Sequence, residues 1–263
     1  MNSKNIIKQP FSGIAYLLKG AKLLTHPQLR IFVFIPLFIN VIIFAGAFTY
    51  LFISITDWVD GYISELPSFF SWLTYLLWPI LIVSILFSFT FIFSTIANLI
   101  AAPFNGLLAE KTEKLLTNSV AGNDGLKDLL MELPRTFKRE FQKLLYVVPR
   151  MLGCLILFFI PVIGQTIAPI VWFFFAGWMM AIQYADYPFD NHKVSFSAMK
   201  DALASQKGKN VTFGVAINIC TTIPILNFII MPIAVCGATV AWVDIYKEQL
   251  LENKVDFVEY EDL

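Results

Sequence analysis

The sequence predicts an all-α integral membrane protein with two long transmembrane helices, two partially inserted (re-entrant) helical hairpins and amphipathic cytoplasmic helices. Residues 31–55 and 66–109 are runs of 25 and 44 residues without a charged side chain, whereas about 20 apolar residues suffice to cross a bilayer. The composition agrees, since 57% of the residues are hydrophobic and 14% are charged. We therefore expect residues 1–263 to form a single membrane domain with the lipid bilayer as its surroundings.

The first 30 residues carry five bases and no acid. By the positive-inside rule, this asymmetry predicts a cytoplasmic N-terminus. The next connection holds three acids and no base, so we expect it to face outward: Asp57, Asp60 and Glu65. The run at residues 31–55 is longer than the apolar region of a signal peptide, about 7 to 15 residues, and should remain as a membrane anchor.

An amphipathic arm precedes this first crossing. Its apolar residues recur at helical spacing beside Lys19 and Lys22: Phe11, Ile14, Ala15 and Leu18. The pattern is typical of a helix that lies on the inner membrane surface. A solvated amphipathic arm is the alternative.

The second uncharged run is too long for one crossing. A helix of its 44 residues would reach about 66 Å, and the hydrocarbon core is about 30 Å thick. The stretch between Pro67 and Pro79 is rich in aromatic residues, which suits the outer interface. We place the second crossing at about residues 80–102.

Residues 105–150 are predicted to form cytoplasmic helices, because residues 110–150 hold eight bases and six acids. Apolar residues keep a helical stripe in this segment, and four bases form a basic face: Arg135, Lys138, Arg139 and Lys143. We interpret this segment as a surface helix that lies on anionic lipid.

The last part of the chain contains an internal repeat with an offset of 63 residues. Two prolines break each unit: Pro161 and Pro169, then Pro224 and Pro232. The arms are about 10 to 13 residues long, roughly 15 to 20 Å, which is short of a crossing. We predict partially inserted hairpins at residues 151–185 and 211–243, followed by an acidic cytoplasmic tail at residues 244–263. Repeats with interrupted helices point to transport sites, and hairpins that serve packing alone are the alternative.

Charge and motif content argue against several function classes. The net charge is zero, so a nucleic-acid partner lacks its electrostatic footprint. The sequence contains no P-loop, GxSxG or HExxH motif, and its two histidines lack clustered partners, so we expect no enzyme, cofactor or metal site. The three cysteines lie in apolar stretches without CxxC spacing, and we interpret them as small core residues: Cys154, Cys220 and Cys236.

A candidate anion site follows the second predicted crossing. Pro103 precedes Asn105, a preferred N-cap, which predicts a helix start where hydrocarbon gives way to water. The amides of Gly106, Leu107 and Leu108 would then lack intrahelical acceptors. Because a helix start also carries partial positive charge, it can hold an anion.

Longer stretches of the sequence carry a family resemblance. They are FSTIAN and AAPFNGLLAE at residues 93–98 and 101–110, QYADYPFDNHK at residues 183–193, and MPIAVCGAT at residues 231–239. Together they resemble the CysZ sulfate permeases of bacterial inner membranes, over about residues 11–246. The resemblance implies sulfate entry for cysteine synthesis, a homo-oligomer, and a fold of two long membrane helices with two partially inserted hairpins.

The resemblance also implies a sulfate site at the Gly106 motif, to which we add the preceding N-cap and a nearby base. The candidate site residues are Arg30, Asn105, Gly106, Leu107, Leu108, Ala109 and Glu110. Arg30 can add charge and a bidentate contact, although a positive-inside anchor is its alternative role. Relatives can carry a second Arg where this chain has Ile31, which weakens the basic part of the site. We interpret Asp190, Asn191 and His192 as a structural turn rather than a catalytic group.

The sequence thus predicts a channel-like sulfate permease of the inner membrane. No acid or histidine interrupts the predicted spanning runs, so no proton relay can be named and we expect passive flux. A structural or regulatory membrane subunit that assists another sulfate transporter is the alternative. A membrane-bound enzyme is a further class, and its catalytic constellation is missing from the sequence.

Overall fold

The computed structural model describes residues 12–64, 71–117 and 126–252. These residues fold into helices, and no β-strand occurs among them, which confirms the predicted all-α class. The elements are α1 (Ser12–Leu24), α2 (Pro27–Ser64), α3 (Ser71–Thr117), α4 (Leu126–Phe158), α5 (Ile163–Asn191), α6 (Phe196–Ser205), α7 (Lys207–Thr221), α8 (Pro224–Ala241), a π-helical turn (Trp242–Tyr246) and α9 (Lys247–Glu252).

Four helical segments of the described chain are long and apolar enough to cross a bilayer: Pro27–Trp58, Lys138–Phe158, Ile163–Asn191 and Ile229–Leu250. The first contains the predicted crossing at residues 31–55, and α3 contains the one at residues 80–102. Glu65 and Pro67 of the predicted outer connection lie outside the described residues. The lengths agree with a multi-pass membrane protein.

The described residues divide into two compact units, of which the smaller is Ile31–Phe104. It consists of apolar parts of α2 and α3. Phe89 packs edge-on against Phe44 and Phe48, with ring centroids 5.1 and 5.6 Å apart. On α2, Phe34 and many other large apolar side chains are exposed, as expected of a helix surrounded by lipid.

The larger unit contains the other described residues, and α1 packs into it against α7 and α8. Tyr16 and Leu17 are buried in this contact. A Cβ on Gly20 would lie 2.3 Å from the carbonyl oxygen of Ile233, so a glycine is required for the close approach of the two helices.

This packing changes the interpretation of the amphipathic arm. One face of α1 belongs to the protein core, so α1 is not a solvated arm. The predicted apolar stripe lies on another face, because Ile14 and Leu18 are exposed. Contact of that stripe with the membrane surface stays a prediction, and Phe11 lies outside the described residues.

Helices α5 and α7 approach each other at two glycines. A Cβ on Gly214 would lie 1.7 Å from the carbonyl oxygen of Gly177. Small residues of this kind let helix backbones come close where no hydrophobic force drives them together. The contact attaches the second hairpin to the first.

Both predicted hairpins break at their first proline and not at their second. Residues 159–162 separate α4 from α5, and residues 222–223 separate α7 from α8. Pro169 and Pro232 lie inside helices, so the predicted second breaks are wrong. Because α4 and α5 contain 33 and 29 residues, they are longer than the predicted arms, and length alone does not require partial insertion.

The turn of the first hairpin is strained. Val162 has φ 67° and ψ −52°, and the Ile163 amide donates to the Pro161 carbonyl oxygen at 2.8 Å. This γ-turn with positive φ is rare and unfavourable for a β-branched residue. In the second hairpin, Ile223 has φ −95° and carries no such strain.

Helix α3 corrects the predicted helix start at Asn105. It is continuous over Ser71–Thr117, 47 residues or about 70 Å, and contains Pro103 and Gly106 in its interior. The amides after Asn105 therefore lie within a helix and are not free first-turn donors. Pro and Gly are poor interior residues, and here the helical turns on both sides override this local preference.

Candidate functional site

Asn105 makes polar contacts with two other helices of the larger unit. Its side chain is buried, and its Nδ2 donates to the Tyr187 hydroxyl oxygen at 3.2 Å and contacts the Met231 sulfur at 3.4 Å. These partners belong to α5 and α8. Asn105 therefore links three helices instead of capping one.

Gly106 is the residue of the predicted motif that has free space beside its backbone. Its carbonyl oxygen accepts a hydrogen bond from Asn191 Nδ2 at 2.9 Å. A Cβ on Gly106 would meet only Asn191 Oδ1, at 3.6 Å. Space therefore exists beside α3 at the end of α5.

The remaining motif residues are packed. Leu107 is half-buried, and Leu108 and Ala109 are fully buried. Glu110 forms an ion pair with Lys114 one turn later on α3. An acidic substitution at Leu108 would bury an unpaired charge, so this position can test folding but not anion binding.

Arg30 belongs to the same compact unit, near the start of α2. Its side chain is exposed, and its guanidinium forms no hydrogen bond or ion pair with any described residue. Leu29 beside it is fully buried and anchors the backbone. The guanidinium is thus available to an anion, and no hydrogen bond connects it to residues 105–110.

Helices α4 and α5 meet at buried and half-buried charges that we call the charge cluster: Arg135, Arg139, Lys143, Asp186 and Asp190. Arg139 Nε donates to Asp186 Oδ1 at 2.6 Å, and Lys143 Nζ lies 2.9 Å from Asp186 Oδ2. One carboxylate therefore holds two cations. Arg135 and Arg139 lie 3.3 and 3.4 Å from the Asp190 carboxylate.

The charge cluster corrects the interpretation of α4 as a surface helix on anionic lipid. The side chains of Arg139 and Lys143 are 3% and 6% exposed, whereas Phe141, Leu144 and Leu145 are exposed. Helix α4 thus turns apolar side chains outward and Arg139 and Lys143 inward, while Lys138 of the predicted basic face is exposed. The cations are inside because carboxylates of α5 pair with them, and a buried charge without such a partner is strongly unfavourable.

A second group of ions joins α3 to the end of α5 and to α9. Glu113 Oε2 lies 2.8 Å from His192 Nε2, and Glu113 Oε1 accepts from Lys247 Nζ at 2.8 Å. Burial alone would raise the pKa of the Glu113 carboxyl, but the hydrogen bonds from His192 and Lys247 outweigh burial and lower this pKa. His192 also stacks on Trp242, and these contacts agree with a structural turn.

The described residues contain no group of His, Cys, Asp and Glu arranged as a metal site. The three cysteines form no disulfide. Cys236 is buried beside the Thr112 hydroxyl, but Cys154 and Cys220 are only half-buried. The prediction of core cysteines is therefore confirmed for Cys236 alone.

The sequence also matches a known family. The profile of the family described as Sulfate transporter CysZ/Etoposide-induced protein 2.4 matches residues 16–232. The chain belongs to this family. It is similar to "Sulfate transporter CysZ" of Vibrio atlanticus, with 50% identity over 246 residues, 94% of this chain and 98% of the relative. The protein of the same name from Salmonella typhimurium is 51% identical over 238 residues, 90% of this chain and 94% of the relative.

The CysZ resemblance inferred from the sequence stretches is thereby confirmed. A third relative, "Sulfate transporter CysZ" of Vibrio parahaemolyticus, is 50% identical over 93% of this chain and 99% of its own length. Tyr187 and Asn191, which contact the Asn105 and Gly106 positions, fall within residues 183–193. That stretch carried the resemblance, but its contacts with α3 were not predicted.

The charge cluster was not predicted either, although the sequence contains a signal for it. Three bases of α4 and two acids of α5 recur every four residues: Arg135, Arg139 and Lys143, then Asp186 and Asp190. Each set therefore lies on one face of its helix. Complementary faces on the two arms of one hairpin indicate ion pairs between the arms.

Proposed function

We propose that this protein is a sulfate permease of the bacterial inner membrane and supplies sulfate for cysteine synthesis. The observation that carries the proposal is the 50% identity over 94% of the chain to a protein named as a sulfate transporter. Four helical segments long enough to cross a bilayer support it. The relatives are named for transport, and we propose transport and not catalysis.

We assign sulfate binding to Arg30 and residues 105–110. The exposed guanidinium of Arg30 supplies charge and a bidentate contact, and the space beside Gly106 admits a ligand. Amide donors become available when α3 opens between Pro103 and Gly106, because Pro lacks an N–H and Gly disfavours the helix.

Two substitutions test this assignment by calorimetry of sulfate binding in detergent. Ala at Gly106 fits the available space and favours the helix by about 1 kcal/mol, so affinity should fall about fivefold if α3 must open. Arg30→Gln should weaken binding by roughly 1.5 to 3 kcal/mol. Gly208→Ala is the matched control, since its Cβ has no neighbour within 4 Å. Unchanged sulfate affinity in Gly106→Ala would argue against the opening of α3. Unchanged sulfate affinity in Arg30→Gln would argue against a role for Arg30 in binding.

We further propose that both hairpins insert partway from the cytoplasmic side. Trp178 Nε1 donates to the Tyr146 hydroxyl at 3.2 Å, and paired Trp and Tyr side chains are typical of the membrane interface. From Tyr146 to the end of α4 is about 18 Å, against a core of about 30 Å. In the second hairpin, Asn210 Nδ2 donates to the Tyr246 hydroxyl at 2.8 Å. From Asn210 to the end of α7 is about 17 Å, which is again shorter than the hydrocarbon core.

Labelling of single cysteines tests this topology. The background is a variant with Ala in place of the native Cys154, Cys220 and Cys236. At the two turns, Val162→Cys and Ile223→Cys should resist a membrane-impermeant maleimide added outside whole cells. Asp57→Cys, in the predicted outward connection, should react and reports the proposed orientation. Reaction at a turn would indicate that the hairpin crosses completely.

We propose that the flux is channel-like and passive. Moving one charge against 100 mV costs about 2.3 kcal/mol, so inward movement of divalent sulfate costs about 4.6 kcal/mol. Labelled-sulfate uptake by liposomes that contain only the purified protein should follow the sulfate gradient and be slowed by an inside-negative potential. Concentrative uptake driven by a proton gradient would instead indicate coupling and direct attention to the buried Asp186. Absence of uptake would favour the regulatory-subunit alternative.

A homo-oligomer, implied by the CysZ resemblance, is also part of the proposal. Native mass spectrometry of the protein extracted in mild detergent measures its stoichiometry. A single mass of one chain under these conditions would contradict it.

A further inference from the structure

Helices α4 and α6 bring together two cations without a carboxylate partner. Arg150 Cζ lies 3.7 Å from the ring centroid of Tyr146, and Lys200 Nζ lies 5.0 Å from the same centroid. Neither cation forms an ion pair with a described residue. The two positive charges beside one ring are therefore not neutralised within the described parts of the chain, unlike Arg139 and Lys143 in the charge cluster.

Contacts from three helices hold this arrangement in place. The Tyr146 hydroxyl accepts a hydrogen bond from Trp178 Nε1 at 3.2 Å, and the Tyr146 ring packs edge-on against Phe196. Arg150 Nη1 donates to the Tyr146 carbonyl oxygen at 2.8 Å, and this is the only hydrogen bond of the guanidinium to a described residue. The other N–H groups of Arg150 are directed at no protein acceptor in this part of the structure. The cations are thus pre-positioned for an anionic ligand.

Arg150 and Tyr146 belong to Lys138–Phe158, a segment long and apolar enough to cross a bilayer. The segment also carries exposed apolar side chains, on the face of α4 opposite Arg150: Leu145, Val148 and Leu152. Two cations beside a Tyr–Trp pair match the interface at which lipid headgroups lie, and the apolar segment that carries Arg150 matches the acyl region.

We propose that Arg150 and Lys200 bind the headgroup phosphate of an anionic phospholipid whose acyl chains lie along α4. Charge complementarity selects the lipid class, because a zwitterionic headgroup carries its own cation next to the phosphate. Each base near a membrane surface adds attraction to anionic lipid. The site is separate from Arg139 and Lys143 of the charge cluster, whose charges are paired inside the protein.

Lipid titration of the purified full-length protein tests the proposal. Phosphatidylglycerol or phosphatidylcholine is added in dodecyl maltoside, and bound lipid is counted by native mass spectrometry. The wild type should prefer phosphatidylglycerol. Arg150→Gln and Lys200→Gln should each reduce this preference about fivefold, and the double variant about 25-fold.

Two control variants make the result decisive. Lys207→Gln removes an exposed charge without a ring contact and should keep the preference. Arg150→Lys with Lys200→Arg retains both charges and should keep most of it, which separates charge from a folding defect. A double Gln variant that keeps the full preference would overturn the proposal. Sulfate or inorganic phosphate that binds at this position in place of the lipid would also overturn it, since the occupant would then be a soluble anion.

Discussion

The two hairpins come from one sequence repeat, but the structure uses them differently. In the first hairpin, few residues are buried: 6% of those in the most apolar part of Lys138–Phe158 and 22% of those in the most apolar part of Ile163–Asn191. In the second hairpin, 67% of the residues in the most apolar part of Ile229–Leu250 are buried. Helices α1 and α5 pack against both arms of the second hairpin. One hairpin is therefore at the exterior of the larger unit, and the other forms its core.

The interactions that hold the two hairpins differ accordingly. Oppositely charged side chains join the arms of the first hairpin, with Asp186 at the centre. Neutral contacts hold the second: Asn210 Nδ2 donates to the Leu203 carbonyl oxygen and the Tyr246 hydroxyl, both at 2.8 Å. Apolar burial does not drive helices together in lipid, so an exterior hairpin depends on strong polar pairs and an enclosed one on close packing.

The largest effect is expected from removing the charge that joins the exterior hairpin. Asp186→Asn leaves Arg139 and Lys143 without their shared carboxylate and should lower the free energy of unfolding by about 3 to 5 kcal/mol. Unfolding in mixed micelles measures this value. Asp201→Asn, an exposed acid on α6, should change it little.

A double variant sharpens this test. Adding Lys143→Met to Asp186→Asn removes one of the two cations that have lost Asp186 and should restore part of the lost stability. If the double variant is less stable than Asp186→Asn, charge pairing is not the main interaction between α4 and α5.

The enclosed hairpin should be destabilised by added side-chain volume at its close helix contact. Gly214→Ala places a Cβ 1.7 Å from the Gly177 carbonyl oxygen, so the α5–α7 contact must open, at a cost of about 1 to 3 kcal/mol. The same measurement on Gly208→Ala, in the same helix but without neighbours, should show no loss. Equal stability of the two variants would refute tight packing as the source of the difference between hairpins.

A pH-dependent link connects the ends of the two hairpins through Glu113. Its depressed pKa means that the ion pairs with His192 and Lys247 stabilise the folded state above the ordinary carboxyl pKa, and that this contribution disappears as the pH falls through the lowered value. Glu113→Gln should lower stability by roughly 1 to 2 kcal/mol at pH 6. The difference from wild type should shrink steadily as the pH falls below the ordinary carboxyl pKa, and a difference that does not change with pH would exclude ionisation as its cause.

The smallest effect concerns the two turns. Val162→Gly relieves a positive φ and should raise stability by about 0.5 to 1 kcal/mol. Ile223→Gly has no such strain to relieve and should lower stability slightly, since Gly adds freedom to the unfolded chain. Thermal unfolding in detergent compares the two, and the same sign for both would contradict the difference in strain.

Several features of the protein follow from the sequence because their causes are local. Long uncharged runs predict membrane helices, and Pro161 and Pro224 mark the two hairpin breaks because a Pro removes a helical hydrogen bond. Contiguous stretches identify the CysZ family. For the candidate site, the sequence supplies the residues, but it predicts Asn105 as a cap, whereas Tyr187 and Met231 bind its side chain from other helices.

The sequence by itself determined the class, the first break in each repeat unit and the sets of residues that share a helix face. Only the tertiary structure decided which faces are buried. Arg139 and Lys143 of the basic face point inward because Asp186, 47 positions beyond Arg139, pairs with them, and helical periodicity cannot distinguish such residues from ones that meet lipid. Likewise, two similar repeats became an exterior and a core hairpin because α1, from the other end of the chain, packs mainly against the second.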